Sequence, residues 1–271
     1  MKSSIIRNDS KITLWEYLKL IWQHRFFSYT LGVGGVKNKY AKTYTGILLS
    51  FIQTSITLGV YWLVFGVIIK VQTGTIPYPL FVLSGLILWQ YFSNTVNAIT
   101  WALIDSENLI SKLYFPRINI IFSRMINGTV DLIIGGGIFF VMLVIYSQPV
   151  SYKIAFVPFV IIILLINTLS VGLWTSIISL YFRDISHVLV QLVSFFIFIT
   201  PVFYPGTIIP QHLKILLYIN PMAGTIEVFR SLFFQYYFDK GYYIGFALSF
   251  VLFVTALFYY KKIDKKITDL L

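Results

Sequence analysis

Cysteine, charged residues and histidine are all scarce in this sequence, and each scarcity excludes a class of function. None of the 271 residues is Cys, so the chain forms no disulfide and has no thiol nucleophile. Only 11% of the residues are charged, whereas soluble domains carry about 25%. The three His residues are scattered and form no cluster with the spacing of a metal site. The sequence therefore predicts neither a soluble domain nor a metalloenzyme.

Apolar residues, in contrast, are abundant, at 58% of the chain with a mean hydropathy of +0.81. We predict an all-α integral membrane protein with six transmembrane helices and no bound cofactor or metal. Sixteen of the 21 Lys and Arg residues lie on the side of both termini in this topology, which places the termini in the cytoplasm. The predicted spans are residues 46–69, 79–100, 118–146, 154–182, 186–203 and 242–260.

Two further segments are apolar but unsuited to crossing a bilayer. Residues 13–30 carry Trp15, Trp22 and other apolar side chains at helical spacing between charged ones, which predicts an amphipathic helix lying in the membrane interface. Residues 204–238 are cut by prolines into pieces shorter than the roughly 20 residues of a spanning helix, which predicts a re-entrant hairpin on the outer side. Glu227 and Arg230, three residues apart, are able to pair there.

The predicted spans contain polar side chains whose purpose the sequence leaves open. Gln90, Asn94 and Asn97 form one stripe of the second span, facing either a partner helix or a lumen. Asp131 in the third span either takes part in transport or pairs with a basic group. The spacing of Thr168, Gly172, Ser176 and Ser179 in the fourth span predicts close helix packing.

Aromatic side chains near the middle of two spans are the remaining candidates for a substrate path. Their flat rings are able to stack on sugars, although packing against lipid is an alternative for each of them. They are Trp89, Tyr91 and Phe92 in the second span, and Phe195 and Phe198 in the fifth.

Five short motifs follow one another along the chain: KNKYAKTYTG (37–46), ENLISKLYFPR (107–117), YFRDI (181–185), TPVFYP (200–205) and NPMAGTIEVFR (220–230). Taken together, they resemble the permease subunit of ABC-2 type polysaccharide and polyol-phosphate exporters. This family exports O-antigens, capsules and teichoic acids. The resemblance covers nearly the whole chain as a single transmembrane domain.

The resemblance implies a homodimer with two separate ATPase subunits, which use ATP and Mg²⁺, on the cytoplasmic side. No Walker motif occurs in this chain, in agreement with a separate ATPase. A coupling helix at residues 105–117 is expected to contact that ATPase. Its candidate residues are Glu107, Asn108, Leu109, Lys112, Tyr114, Phe115, Pro116 and Arg117.

The resemblance also implies gates at the two ends of the substrate path. Residues 13–30 correspond to the gate helix with Trp15 and Trp22, followed by a basic entrance. The Lys residues of this entrance are able to attract the pyrophosphate of a lipid-linked glycan. The alternative, which does not exclude this role, is that they only keep this part of the chain on the cytoplasmic side of the membrane. The candidate residues of the entrance are Lys37, Lys39, Tyr40 and Lys42. The outer gate candidates are Pro201, Tyr204, Pro205, Asn220, Pro221, Glu227 and Arg230.

We therefore predict a permease subunit in the inner membrane of a bacterium that exports a lipid-linked polysaccharide and is not itself an enzyme. One alternative is an ABC-2 exporter of a small hydrophobic compound. Another is a membrane-embedded glycan polymerase or ligase, although the outer hairpin offers only Glu227, Arg230 and little else as catalytic groups.

Overall fold

The computed structural model describes residues 13–40, 45–149, 151–234, 236–264 and 266–270. Within these ranges the chain is helical and contains no strand. The α-helices are α1 (Leu14–Gln23), α2 (Arg25–Tyr40), α3 (Thr45–Tyr61), α4 (Tyr78–Asp105), α5 (Glu107–Ile110), α6 (Ile118–Ile145), α7 (Val157–Tyr181), α8 (Ile185–Phe195), α9 (Lys214–Ile219), α10 (Pro221–Phe233), α11 (Tyr243–Ile263) and α12 (Ile267–Leu270). A π-helix, Trp62–Ile68, continues α3, and short 3₁₀ turns occur at Tyr152–Phe156, Phe196–Phe198, Gly206–Ile208, Gln211–Leu213 and Lys240–Tyr242.

Helix α4 lies at the centre of the molecule, in contact with α6, α7, α8 and α10. Every residue from Leu80 to Trp89 is buried, so this half of α4 is enclosed by other helices on all sides. Gly172 of α7 allows a close approach, because a Cβ atom there would lie 2.9 Å from Cδ1 of Ile99 in α4. Thr100 of α4 donates a hydrogen bond to Thr175 of α7 at 2.9 Å.

The small-residue seam predicted on the fourth span is confirmed by these contacts. Thr168, Ser176 and Ser179 are buried on the same helix as Gly172. Ser176 and Thr168 donate to backbone carbonyls of their own helix, so burial leaves their hydroxyls satisfied. The seam therefore packs helices together.

Within the described ranges, four helical stretches are long and apolar enough to cross a membrane, by length and composition. They are Ser50–Ile68, Ile118–Ile145, Tyr152–Tyr181 and Lys240–Ile263, and they fall within four of the six predicted spans or extend them by a few residues. Helix α4 has 28 residues, which is long enough at about 1.5 Å per residue, but Gln90 and Asn94 lower its hydropathy.

The predicted end of the fifth span at residue 203 is wrong. The apolar helix runs only from Ile185 to Phe198 and is followed by turns. Pro201 has no N–H to donate and disfavours helical backbone at Thr200. The chain turns there instead, and the N–H of Val202 donates to the carbonyl of Thr200 at 2.7 Å.

The predicted single amphipathic helix over residues 13–30 is also corrected, because this region forms two helices. Helix α1 begins at a capping box between Thr13 and Glu16 and ends at His24, whose φ of −93° and ψ of 11° leave the helical range. Trp15 and Trp22 are 77% and 67% exposed, as expected for a helix that lies in the membrane interface.

Helix α2 continues ten residues beyond the predicted end because its glycines fit against α6. A Cβ atom at Gly32 would lie 2.8 Å from Cβ of Ile126, and one at Gly35 would overlap the side chain of Asn127. This close packing gives the glycine cluster a structural role and carries the helix to Tyr40.

The coupling helix predicted over residues 105–117 is a single turn, α5, followed by irregular chain. Helical hydrogen bonding ends at Leu113, and Pro116 prevents a continuous helix into α6, since proline restricts the backbone of Phe115 and cannot donate to a helical carbonyl. The segment 105–117 is called the coupling segment below.

Prolines organise the stretch from residue 204 to 238, called the outer hairpin below. Pro205 and Pro210 each precede a 3₁₀ turn, and Pro221 is the first residue of α10. Asn220 caps α10, where its Oδ1 accepts from the N–H of Met222 at 3.0 Å. Helix α10 then packs against α4, α7 and α11, so the outer hairpin joins the core of the molecule.

Candidate functional site

A cavity of about 320 Å³ lies between α3, α4, α6 and α8, and we call it the polar cleft. Amides, hydroxyls and aromatic rings line most of its wall. The lining residues are Lys39, Ser50, Gln53, Thr54, Thr57, Tyr61, Leu86, Ile87, Trp89, Gln90, Tyr91, Ser93, Asn94, Asp131, Gln191, Ser194, Phe195, Ile197 and Phe198.

Six of the eight residues predicted for a substrate path line the polar cleft. They are Trp89, Gln90, Tyr91, Asn94, Phe195 and Phe198. Phe92 does not line it, because its ring is buried beside Trp89 at a centroid distance of 5.4 Å. Asn97 also lies outside, one turn further along α4 than Asn94. The polar stripe of α4 therefore faces a cavity over part of its length.

Sequence reasoning missed the contribution of the first span to the polar cleft and the polar contribution of the fifth. Gln53, Thr54 and Thr57 line it from α3, and Gln191 and Ser194 from α8. Thr54 donates to Oε1 of Gln90 at 3.3 Å, which ties the α3 wall to the α4 wall. The signal was present in the sequence, since each set occupies one side of an apolar helix at a spacing of three or four residues.

Asp131 closes one end of the polar cleft with three hydrogen bonds. It accepts from Nζ of Lys39 at 2.7 Å, from the hydroxyl of Tyr40 at 2.6 Å and from Oγ of Ser50 at 3.1 Å. These four residues, called the mouth cluster below, belong to α2, α3 and α6. The alternative that Asp131 pairs with a basic group is thus confirmed, and its partner is Lys39. Arg124, the nearest basic residue in the sequence, pairs instead with Asp105 at 3.3 Å.

Among the described residues, the other predicted entrance residues do not take part in the mouth cluster. Lys37 is exposed on the last turns of α2, and Trp15 and Trp22 lie on α1. Lys42 lies outside the described residues. The structure therefore brings two of the four predicted basic-entrance residues, Lys39 and Tyr40, to the polar cleft.

The opposite end of the polar cleft is closed by aromatic rings around Phe203. The ring of Phe203 packs on Tyr61 at 4.0 Å, on Phe65 at 5.1 Å and on Phe198 at 6.2 Å between centroids. Tyr78 donates to the carbonyl of Phe203 at 3.0 Å. Tyr61 and Phe198 of this plug line the cleft, whereas Phe65 and Phe203 lie behind them, so the plug separates the polar lining from the outer hairpin.

Arg230 holds the chain that carries this plug. Its guanidinium donates to the carbonyls of Pro201 at 2.6 Å and of Val202 at 2.8 Å, which have no helical partner because the fifth helix ends before them. It also donates to the carbonyl of Phe81 at 3.2 Å and lies 3.6 Å from the centroid of that ring. Gly85 provides the space, since a Cβ atom there would lie 3.0 Å from the guanidinium.

Glu227 supplies the charge that balances Arg230. The two side chains are 3% and 0% exposed and meet at 3.1 Å, and Tyr236 also donates to Glu227 at 3.3 Å. The predicted pairing of Glu227 and Arg230 is confirmed. A fully buried pair that also has five further contacts fixes the local structure, whereas an exposed pair contributes little.

The remaining outer gate candidates surround this pair. Tyr204 donates to the carbonyls of Phe198 and Ile199 at 3.0 and 3.1 Å, which holds the turn that ends the fifth helix. Asn220 donates from Nδ2 to Oγ1 of Thr200 at 2.8 Å, so α10 is attached to the same turn. Pro205 and Pro221 lie at the helix starts described above.

The coupling segment has an exposed part and a buried part. Glu107, Asn108, Lys112 and Tyr114 are exposed, with Tyr114 at 63%, and Leu109 is half-buried. Phe115, Pro116 and Arg117 are buried instead. The ring of Phe115 packs on Phe27 of α2 at 4.3 Å, and Arg117 pairs with Asp264 at 3.7 Å. Any effect of these three residues on a docked protein is therefore indirect.

Among the described residues, no group of three or more His, Asp and Glu side chains is placed to hold a metal ion. Asp131 in the lining of the polar cleft and Glu227 in the outer hairpin are each engaged by a cation. The arrangement thus provides a polar, aromatic cleft bounded by the mouth cluster and by the aromatic rings around Phe203.

Comparisons with known proteins identify the family of this chain. Residues 29–234 match the model of the ABC-2 type transporter family. The chain is 26% identical over 218 residues to the O-antigen export system permease protein RfbA of Myxococcus xanthus, covering 80% of this chain and 83% of that one. It is 24% identical over 239 residues to the protein of the same name from Klebsiella pneumoniae, covering 87% and 91%. It is also 24% identical over 220 residues to the polysialic acid transport protein KpsM of Escherichia coli, covering 80% and 84%.

The family match spans well over half of the chain and includes the mouth cluster, the coupling segment and most of the outer hairpin. It confirms the family that the five sequence motifs indicated. The protein is a member of the ABC-2 type transporter membrane family.

Proposed function

We propose that this chain is the permease subunit of an ATP-driven exporter that moves a lipid-linked polysaccharide across the cytoplasmic membrane. The observation that carries the proposal is the polar cleft, in which amide and hydroxyl groups alternate with aromatic rings. Relatives in the same family are named for the export of O-antigen and of polysialic acid.

The lining of the polar cleft favours a sugar polymer over a small hydrophobic compound. Sugars present hydroxyls to hydrogen-bond and flat apolar faces to stack, and Gln53, Gln90 and Asn94 lie beside Trp89 and Phe195. A hydrophobic compound would leave the amides of Gln53 and Asn94 without hydrogen-bond partners at a cost of about 1–3 kcal/mol each. A polymerase or ligase is disfavoured because Glu227 and Arg230 are buried and bound to each other and to backbone carbonyls.

The topology that suits this function has six spans with both termini in the cytoplasm. Four of the spans are the long apolar helices, α4 is the second, and α8 with its 3₁₀ turn is a shortened fifth that the outer hairpin completes. In this orientation the coupling segment faces the cytoplasm and the outer hairpin caps the exit. A single Cys in place of Gln211 is then expected to react only from outside, and one in place of Lys262 only from inside.

A second copy of the chain is expected to complete the path. Apolar side chains of α3 and α8 are exposed on both sides of the polar cleft, with Phe51 at 47%, Ile56 at 61%, Leu192 at 48% and Phe195 at 56%. Two copies that meet along these helices would bury the apolar faces and join two clefts into one passage. The proposed assembly is a homodimer with two ATPase subunits, which supply ATP and Mg²⁺ chemistry.

The exposed part of the coupling segment is the proposed contact with the ATPase. Tyr114 presents most of its ring to solvent beside exposed Leu113, and a buried Phe115 anchors the backbone next to them. An ATPase movement applied at Tyr114 would reach α2 through the contact between Phe115 and Phe27.

The test is export by cells in which Tyr114→Ala replaces the normal chain. We expect surface polysaccharide to fall at least tenfold, lipid-linked polymer to accumulate inside, and the purified permease to keep its thermal stability. Tyr152→Ala is the matched control, because Tyr152 is 83% exposed on the connection between α6 and α7 at the opposite end of the helices. Normal export by Tyr114→Ala would remove the coupling role, and a chain that exports without any ATPase partner would refute the proposal.

A further inference from the structure

The mouth cluster holds three helices together at one carboxylate. Asp131 on α6 receives Lys39 and Tyr40 from the last residues of α2, and Ser50 from α3. All three donors thus converge on a single acceptor at the end of the polar cleft, and Lys39 and Asp131 are themselves part of its lining. As long as these bonds persist, the end of α2 remains attached to α3 and α6.

The ion pair at the centre of this cluster is exchangeable. The side chains of Lys39 and Asp131 are 51% and 23% exposed and both line the polar cleft, so a ligand that enters the cleft is able to contact both of them. An ion pair that is not buried contributes little to stability. The buried Glu227–Arg230 pair, with 3% and 0% exposure, has no such access.

A phosphate group is a stronger acceptor for the same donors. It carries more negative charge than a carboxylate and has several acceptor oxygens, so it is able to bind the ammonium of Lys39 and the hydroxyl of Tyr40 together. Asp131 keeps these two donors in adjacent positions, which prepares them for a ligand that accepts from both. The exchange breaks and forms only hydrogen bonds and ionic contacts.

Any movement that follows is confined to the end of α2. Gly32 and Gly35 pack so closely on Ile126 and Asn127 of α6 that the middle of α2 stays in place. The residues after Gly35, which include Lys39 and Tyr40, are held to α6 by Asp131. Loss of those bonds would therefore open the end of the polar cleft without displacing the whole helix.

We propose that Asp131 is a positioning residue that competes with a phosphate or diphosphate ligand for Lys39 and Tyr40, so that the anion itself opens this end of the polar cleft. The inference rests on the proposed function at one point, which is that the anion belongs to the exported molecule. The chemistry recognised is a phosphate group, whether free in solution or at the head of a prenyl lipid.

The test uses the absence of Cys from the natural sequence. Gln53→Cys places one thiol on α3 in the lining of the polar cleft, where the side chain is exposed. The permease is reconstituted with its ATPase partner in lipid nanodiscs without nucleotide, and the rate of reaction with a water-soluble thiol reagent is measured. Two ligands are compared, inorganic pyrophosphate in solution and farnesyl diphosphate in the bilayer.

We expect Asp131→Asn to raise the labelling rate at least threefold without any ligand, because the amide does not attract Lys39. Either diphosphate should raise the rate similarly when Asp131 is present, and Lys39→Gln should abolish that response. A response to farnesyl diphosphate alone assigns the anion to a lipid head group, and a response to both assigns it to phosphate in general. Asp105→Asn is the matched control, since it removes the partner of Arg124 on the same side of the protein without touching the cleft.

The inference is overturned when neither diphosphate changes the labelling rate of the chain with Asp131 intact, a result that does not depend on how the variants fold. It is also overturned when Asp105→Asn changes the rate as much as Asp131→Asn. The outcome is separable from the proposed function: opening by diphosphate without polysaccharide export refutes only the export proposal, and export without such opening refutes only the role of Asp131.

Discussion

Replacement of Arg230 is expected to be among the most damaging substitutions in this chain. Arg230→Leu keeps much of the apolar volume of the side chain but removes every donor. The carbonyls of Phe81, Pro201 and Val202 then lose the guanidinium that binds them, and Glu227 loses its ionic partner. The substitution thus affects both the core and the chain that carries the aromatic plug.

The magnitude follows from the burial of these groups. Removal of one partner of a buried ion pair costs about 3–5 kcal/mol, because the other charge stays buried without compensation. Each buried carbonyl that loses its donor adds about 1–3 kcal/mol, although such losses are not additive within one network. We therefore expect Arg230→Leu to lower the free energy of unfolding by at least about 4 kcal/mol, a large fraction of the 5–15 kcal/mol typical of folded proteins.

The measurement is thermal unfolding of the purified permease in detergent, where a loss of this size lowers the midpoint by roughly 10 °C. Glu227→Gln should also be costly, at about 3 kcal/mol, because the charge of Arg230 stays buried without its counterion, but less costly than Arg230→Leu, since Gln still accepts from Arg230 and the backbone acceptors remain. Arg124→Leu is the matched control, since its pair with Asp105 has exposures of 28% and 54% and should be worth less than about 1 kcal/mol.

Two results would refute this reasoning about Arg230. One is an unfolding midpoint for Arg230→Leu within 2 °C of the parent. The other is a larger loss of stability from Glu227→Gln than from Arg230→Leu. Such a result would mean that the guanidinium stabilises the protein through the carboxylate and not through the backbone carbonyls.

Two further predictions concern other parts of the fold. Gly172→Leu should lower stability by about 1–3 kcal/mol or prevent folding, because even a Cβ atom there lies 2.9 Å from Ile99. Gly136→Leu is the control and should be close to neutral in the same thermal assay, because no atom lies within 4 Å of a Cβ atom at that position. Equal losses of stability from the two substitutions would contradict the packing argument. Burial raises the pKa of Asp264 to about 6, above the roughly 4 of an unfolded Asp, in spite of its pair with Arg117. The native chain therefore binds the proton of Asp264 more tightly than the unfolded chain does, and its stability should fall by up to about 3 kcal/mol as pH rises from about 4 to 6. Asp264→Asn should lack that part of the pH dependence. If the variant shows the same dependence of stability on pH as the parent, the shift is ruled out.

Much of the candidate site followed from local sequence patterns. The polar stripe containing Gln90 and Asn94 and the central rings of Trp89 and Phe195 were predicted from their positions within apolar runs, and these residues meet at the polar cleft. The prolines of the outer hairpin were correctly expected to break it into short pieces. Such features depend on residue type and periodicity, which the sequence shows directly.

Partners that are distant in sequence were not predictable in the same way. The sequence left two interpretations of Asp131 open, a pair with a basic group or a role in transport. It did not identify the hydrogen-bond partners, which are 92, 91 and 81 residues away. Arg124, only seven residues from it, pairs with Asp105 instead. The choice between two basic groups depends on which helices pack together, and a single sequence does not encode that packing as a local pattern.

The sequence by itself determined that this is a helical membrane protein with interrupted helices, because apolar runs, prolines and charge distribution act locally on the backbone. Only the tertiary structure decided which side chains bind the backbone groups that the interrupted helices leave without partners. The turn after the fifth helix exposes two carbonyls, and burial requires that they receive donors. Arg230 supplies these donors from a helix about 30 residues further along, and the same contacts hold Phe203 at the end of the polar cleft.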